Sequence, residues 1–194
     1  MDMKGMKLGI ALTGSFCNLH MAFKIIEELK KNGAEVTPII SHNVDRLDTK
    51  FFKAQEVKDI LTDLTGKEII RELTHAEPIG PTNMFDIVVL APATGNTIAK
   101  LANAITDTPV LMAVKSQLRN KRPVVVGVST NDGLGNNAKN IGQLMNMENV
   151  FFIPFAQDAP NKKEMSVVFL QDRAMATIEA AMNKRQLQPI IDVI

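Results

Sequence analysis

Apolar and polar positions in this chain repeat with two different periods, and the switches between them mark its elements. Lys7 to Leu12 is a short apolar run closed by Thr13-Gly14-Ser15. Behind it, Leu19, Ala22, Phe23, Ile26 and Leu29 fall at the spacing of one buried helix face, with Glu27, Glu28, Lys30 and Lys31 on the other side. Gly33 is placed to stop that helix, and Glu35 to Ile40 reads as a second strand. Strand, helix and strand in that order predict a βαβ unit with parallel strands.

The stretch from Val44 to Asn83 is the least patterned. Glu56 to Leu64 predicts a helix broken by Gly66, Glu68 to Leu73 predicts another, and Pro78, Gly80 and Pro81 exclude regular structure as far as Asn83. Asp86 to Ala91 is a continuous apolar run of the kind buried on both faces of a parallel sheet. A helix follows with Ile98, Leu101, Ala102 and Ile105 on one face, and Thr108-Pro109 opens another with a capping Thr and a first-turn Pro. Pro123 to Val128 predicts a strand, Asn136 to Met147 a helix, Val150 to Pro154 a strand and Asp172 to Lys184 a last helix. The alternation predicts one α/β domain over residues 1–194, a three-layer α/β/α Rossmann-like fold with a mainly parallel sheet.

Composition narrows the function. The 22 Lys and Arg against 21 Asp and Glu leave a net charge of +1, no excess for gripping a nucleic-acid backbone. The single cysteine, Cys17, excludes an internal disulfide and a multi-cysteine metal centre, so no metal is expected and a reducing cytoplasm is the expected compartment. No apolar run approaches the roughly 20 residues that cross a bilayer, so no membrane association is expected. Nine Phe with no Trp and no Tyr remove Tyr as a general acid, and they leave near-ultraviolet and visible absorbance to anything bound.

In folds of this class, ligands bind outside the carboxyl ends of the strands. The segments there are Thr13-Gly14-Ser15, Ser41-His42-Asn43, Thr94-Gly95-Asn96-Thr97 and Ser129-Thr130-Asn131, all rich in hydroxyls and amides. Two of them lead into helix N-termini, where free N–H groups favour a phosphate. Neither the glycine fingerprint of dinucleotide-binding proteins nor a Walker A lysine is present, so a ligand with one phosphate fits better.

With Thr13-Gly14-Ser15, Ala91-Pro92-Ala93-Thr94-Gly95-Asn96-Thr97-Ile98-Ala99-Lys100 and Val128-Ser129-Thr130-Asn131 in place, the chain resembles the flavoprotein superfamily of homo-oligomeric flavin-containing cysteine decarboxylases. Those proteins carry a similar T-G-S turn, a P-A-S/T-A-N-T segment and a P-x-M-N motif. The resemblance implies FMN contacts at Gly14, Ser15, Ser41, Thr94, Gly95, Asn96 and Thr97, with Ser129 and Thr130 near flavin or substrate. Within that superfamily, His75 to Pro81 and Asn131 to Asn140 are similar to a branch that works beside a second, different polypeptide. The branch implies a small dicarboxylate substrate, NADP or NAD on that second polypeptide, and a homo-oligomer. Asn131 is then the expected substrate contact and His75 the expected proton carrier.

The departures from the family also carry information. The place of the decarboxylase histidine, upstream of Asp86, holds Pro78; the late lid cysteine is missing; and P-x-M-N has become V-S-T-N. Oxidative decarboxylation of a cysteine peptide is therefore poorly supported. A flavin-dependent decarboxylase, a flavin-modifying transferase and a non-catalytic partner of the second polypeptide stay open as alternatives.

Further expectations concern single segments. Cys17 reads as a small buried hydrophobe before the first helix, and Lys100 as a solvent-facing stem. Lys115, Arg119, Lys121 and Arg122 form a basic cluster that is either a dicarboxylate attractor or a charged helix end. The loop around Gly133 and Gly135 suits a substrate-covering lid. The apolar tail Leu187 to Ile194 covers the core or contacts another copy.

Overall fold

A computed structural model gives the conformation of residues 3–191. Seven strands lie in one sheet: β1 (Lys7–Leu12), β2 (Glu35–Ile40), β3 (Ile87–Ala93), β4 (Val124–Thr130), β5 (Val150–Phe152), β6 (Phe155–Ala156) and β7 (Val167–Phe169). The first five are parallel in the order β2-β1-β3-β4-β5. β4 is long enough to be shared: Val124 to Val126 pair with β5, while Ser129 and Thr130 pair antiparallel with β7, which in turn pairs with β6.

Helices cover both faces, as the alternation predicts. Along β3, Ile87, Val89 and Ala91 face α1 (Leu19–Lys31), α3 (Ala54–Thr65) and α8 (Ala174–Met182). Val88, Leu90 and Ala93 face α4 (Leu73–Ala76), α5 (Gly95–Ala102), α6 (Pro109–Arg119) and α7 (Ala138–Met145). A strand buried on both sides needs a continuous apolar run, and β3 and β4 supply one. The remaining short helix is α2 (His42–Arg46). The fold is thus the three-layer Rossmann-like arrangement of the sequence reading, with a mixed rather than wholly parallel sheet.

Helix ends follow local chemistry. Gly66 at φ +64° closes α3, and Thr108 Oγ1 accepts from the Leu111 N–H at 3.2 Å to open α6. α5 stops earlier than its apolar spacing predicts: Ala104 turns left-handed at φ +58° and the Ile105 N–H donates to the Lys100 carbonyl. Ile105 is consequently out of the helix and 46% exposed.

Glu68 to Glu72 is not helical, and only Leu73 of the expected segment joins a helix, as the start of α4. Ile70 bridges Ile39 beside β2, its N–H donating to the Pro38 carbonyl and its carbonyl accepting from the Ile40 N–H, so edge pairing overrides local helix preference there. α7 is also shorter than expected, because Asn136 and Asn137 belong to the turn before it. In the tail, Ile190 packs on the core and Ile191 bridges Phe155; Asp192, Val193 and Ile194 lie outside the described residues. No described helix is long and apolar enough to cross a membrane.

Gly9, in β1, lies under the buried Phe85 ring, and a Cβ at this position would come within 2.9 Å of two ring carbons. Gly9→Ala is expected to destabilise the fold by about 1–3 kcal/mol, through overpacking. Urea denaturation followed by circular dichroism checks it; an unchanged midpoint would mean that the ring moves freely.

Candidate functional site

The order β2-β1-β3 reverses the direction of winding at β1, so a crevice opens where the loops after β1 and β3 part. Thr13 fixes that crevice. Its hydroxyl donates to the Pro92 carbonyl at 2.7 Å and accepts from the Thr94 N–H at 2.9 Å, and its own N–H donates to the Pro92 carbonyl. The Ser41 N–H donates to the Leu12 carbonyl, which ties the loop after β2 to the same point.

Two clefts flank this junction, with Gly14 and Thr94 lining both. The larger, of about 380 Å³, also takes Ser15, Cys17, Lys50, Phe51, Gly95, Ser129, Thr130, Asn131, Asp158, Lys163 and Ser166. The smaller, of about 320 Å³, takes Ser41, His42, Asn96, Thr97, Lys100 and Asp107. Every cofactor and substrate position expected from sequence thus borders one of these clefts, and the set is divided between them.

In the larger cleft the hydroxyls are already networked. Ser15 Oγ and Ser129 Oγ are 2.7 Å apart, and Asn18 Nδ2 donates to the same Ser129 oxygen. Thr130 Oγ1 donates to Asp132 Oδ1, Asn137 Nδ2 to Asp132 Oδ2, and Asn140 Nδ2 to Asn137 Oδ1. This chain of bonds rests on Gly95: a Cβ there would lie 2.6 Å from Thr130 Oγ1 and Asn137 Nδ2. The Asp132–Asn137 turn is therefore anchored, and a Cβ at Gly133 would strike Val167 of β7 at 2.2 Å. These bonds tie down both ends of the loop that the sequence suits to a lid, while Leu134 between them is exposed.

The smaller cleft holds the start of α5. Thr94 Oγ1 caps that helix by accepting from the Thr97 N–H at 3.3 Å, while Gly95 and Asn96 belong to the first turn, which has no preceding carbonyl to bond. Ser41 faces it with a buried Oγ that has no hydrogen-bond partner. Lys100 ion-pairs with Asp107 at the rim, so it is neither solvent-directed nor idle.

Several expected positions fall elsewhere. His75 is exposed on α4 and lines neither cleft. Arg122 donates to the Phe85 carbonyl and approaches Asp86 at the opening of β3, so the basic cluster lies at the opposite strand ends from the crevice. Cys17 is exposed in the larger cleft rather than buried, because the chain makes a short 3-10 turn at Phe16–Asn18 before α1 begins. Sequence reasoning missed Lys50, Asp158 and Lys163: they belong to the connections α2–α3 and β6–β7, far along the chain from any strand-end motif.

With this geometry in view, the relatives can be placed. The chain matches the family model described as Flavoprotein over residues 1–185. It belongs to the flavoprotein family. Among related flavoproteins, the B-type subunit of dipicolinate synthase from Bacillus subtilis strain 168 is 50% identical over 190 residues, 98% of this chain and 95% of that one. The crystal structure of the corresponding dipicolinate synthase polypeptide from Bacillus halodurans has a TM-score of 0.92 at 44% identity, covering 100% of this chain and 99% of that one. A remoter flavoprotein-fold structure, Burkholderia xenovorans DmrB in complex with FMN, has a TM-score of 0.65 at 16% identity, covering 92% and 96%, and shares the fold alone.

The ionisable groups of the larger cleft include one carboxylate with a displaced titration. The Ser166 hydroxyl, and behind it the Lys163 ammonium 3.3 Å away, hold the Asp158 carboxyl below its ordinary value of 3.8 against a smaller opposing effect of burial. A depressed folded value stabilises the native state above the ordinary value, and that stabilisation is lost as pH falls through the folded one. Asp158→Asn is expected to melt slightly below the wild type at pH 6, by under about 1 kcal/mol for so solvated a pair, with the two converging below pH 3.8. Melting curves across that range check it; a gap that persists at low pH would remove the charge as its cause.

Proposed function

We propose that this chain acts as the B-type subunit of a dipicolinate synthase. With an A-type partner that binds NADP or NAD, it oxidises a dihydrodipicolinate-type ring to dipicolinate (pyridine-2,6-dicarboxylate) in sporulating cells, using FMN. The observation that carries the cofactor is Ser41: a buried hydroxyl with no partner, on a residue that lines the cleft at the first turn of α5, is costly unless a ligand completes it. Identity of 50% over nearly the whole length with a relative of that name supports the reaction.

The residues present fit a flavin mononucleotide. Ser41, Asn96 and Thr97 would hold the phosphate end, beside Lys100. The larger cleft is the poorer phosphate site, because the Asp132 carboxylate already lies against the start of α5 from the side of Thr130. Gly14 and Thr94, which line both clefts, would hold the middle of the cofactor, and Ser15, Gly95, Ser129 and Thr130 its ring.

Bound FMN supplies a hydride acceptor. The chain itself supplies position and proton handling. Asn131 and the hydroxyls of Ser129 and Thr130 offer hydrogen bonds to a substrate in the larger cleft, and Asp158, Lys163 and Ser166 form part of its wall. Asp158 is held below its ordinary value, so it passes the proton released by ring oxidation on to solvent rather than keeping it, and His75 lines neither cleft. A homo-oligomer belongs to this reading, supported by Phe51, Leu134 and Met165, which are exposed on the segments around the larger cleft.

Lacking Trp and Tyr, the purified protein is expected to show flavin bands cleanly, or to acquire them and a higher melting temperature with added FMN. Ser41→Ala is expected to weaken FMN binding by about tenfold, the worth of one hydrogen bond to a charged group. It should leave the ligand-free melting temperature unchanged or slightly raised, since the lost hydroxyl has no partner. A colourless protein indifferent to FMN would sink the flavin reading; a Ser41→Ala variant with full affinity would put the phosphate in the other cleft.

A further inference from the structure

A dicarboxylate needs two positive partners, and the larger cleft provides two from separate segments of the chain. Lys50 stands in the connection from α2 to α3, and Lys163 in the connection from β6 to β7. They are the cationic side chains among its lining residues, and Asp158 is the carboxylate. The basic cluster of α6 is at the wrong strand ends for this duty, and Lys100 serves the other cleft.

Both lysines are held by partners that a ligand carboxylate outcompetes. The Lys50 ammonium lies 5.1 Å over the Phe51 ring, a weak attachment at an exposed site. Lys163 is 3.3 Å from Asp158, with its side chain half exposed, and solvated ion pairs of this kind contribute little. A charge-assisted hydrogen bond to a ligand carboxylate is stronger than the Lys50–ring contact, and the Lys163 ammonium, half exposed with three donors, can turn from Asp158 to a ligand at little cost. Asp158 is about a third exposed, so water satisfies it on release, and the nearby Ser166 hydroxyl, which donates to Asn131 Oδ1 at 3.4 Å, is within reach to turn toward it.

We infer that Lys50 and Lys163 are the specificity residues of the larger cleft, each taking one carboxylate of a dicarboxylate ligand, and that Asp158 is the resting counter-ion displaced from Lys163. This rests on the proposed substrate class and names the groups that select it. A monocarboxylate ring acid engages one lysine and leaves the other with its resting partner.

The test uses the full-length, FMN-loaded protein with two probes, pyridine-2,6-dicarboxylate and pyridine-2-carboxylate, titrated by calorimetry and by perturbation of the bound flavin spectrum. The wild type is expected to prefer the diacid by at least about tenfold, the worth of one charge-assisted bond. Lys50→Met and Lys163→Met should each weaken diacid binding about tenfold and bring the two probes near parity, with FMN content unchanged. Asp158→Asn should shift binding the other way, tightening it several-fold, an outcome that a merely damaged site cannot produce. Retained diacid preference in both lysine variants would overturn this assignment and leave the proposed function standing. A wild type that holds FMN but prefers neither probe would overturn the dicarboxylate reading itself, and this inference with it.

Discussion

The arrangement depends on one buried hydroxyl. Thr13, 1% exposed, bonds both to the carbonyl of Pro92 and to the N–H of Thr94, so the carboxyl ends of β1 and β3 are clasped just past their last paired residues. Parallel neighbours end side by side but have no reason to keep their following loops together. A threonine at this point supplies an acceptor to the Thr94 N–H and a second donor to the Pro92 carbonyl, which the Thr13 N–H already reaches. The loops after β1 and β3 therefore leave the junction in fixed directions, and the two clefts open on either side of them.

That division gives each half a different electrostatic character. On the smaller side, α5 begins with free N–H groups, an unpartnered serine hydroxyl and a lysine. On the larger side the same helix start is met by the Asp132 carboxylate, held by Thr130 and Asn137. One helix terminus thus favours an anion on one flank and discourages it on the other, with no glycine-rich wrap.

The parallel core was legible in the sequence because each strand of it carries its own signal. β3 and β4 are unbroken apolar runs, and the face of α1 shows directly in Leu19, Ala22, Phe23, Ile26 and Leu29. β6 and β7 were not legible: with two and three residues they have no measurable period, and β6 pairs only with β7, whose other partner is the end of β4, more than thirty residues away in sequence. The same long range explains the site. Positions that follow a strand within a few residues were placed correctly beside the crevice, since topology alone carries them there. Lys50, Asp158 and Lys163 arrive by way of connections whose path no local pattern encodes, and His75 shows the converse, a chemically suggestive residue that the fold leaves on α4.

The family resemblance and the geometry meet at Gly95. The related motif carries alanine at this position, and a glycine there allows close approach to the helix start. The structure shows what approaches. With a Cβ absent, Thr130, Asp132 and Asn137 come so near the first turn of α5 that a methyl group would overlap all three. The glycine, the aspartate and the two asparagines Asn137 and Asn140 therefore form one unit spread over three segments. That unit gives one side of the larger cleft a turn tied by side-chain bonds and backed by Gly133 against Val167. The charged side chains of the cleft therefore come from elsewhere, Asp158 and Lys163 from the connection between β6 and β7 and Lys50 from that between α2 and α3, because the strand-end turn spends its own aspartate on internal bonds.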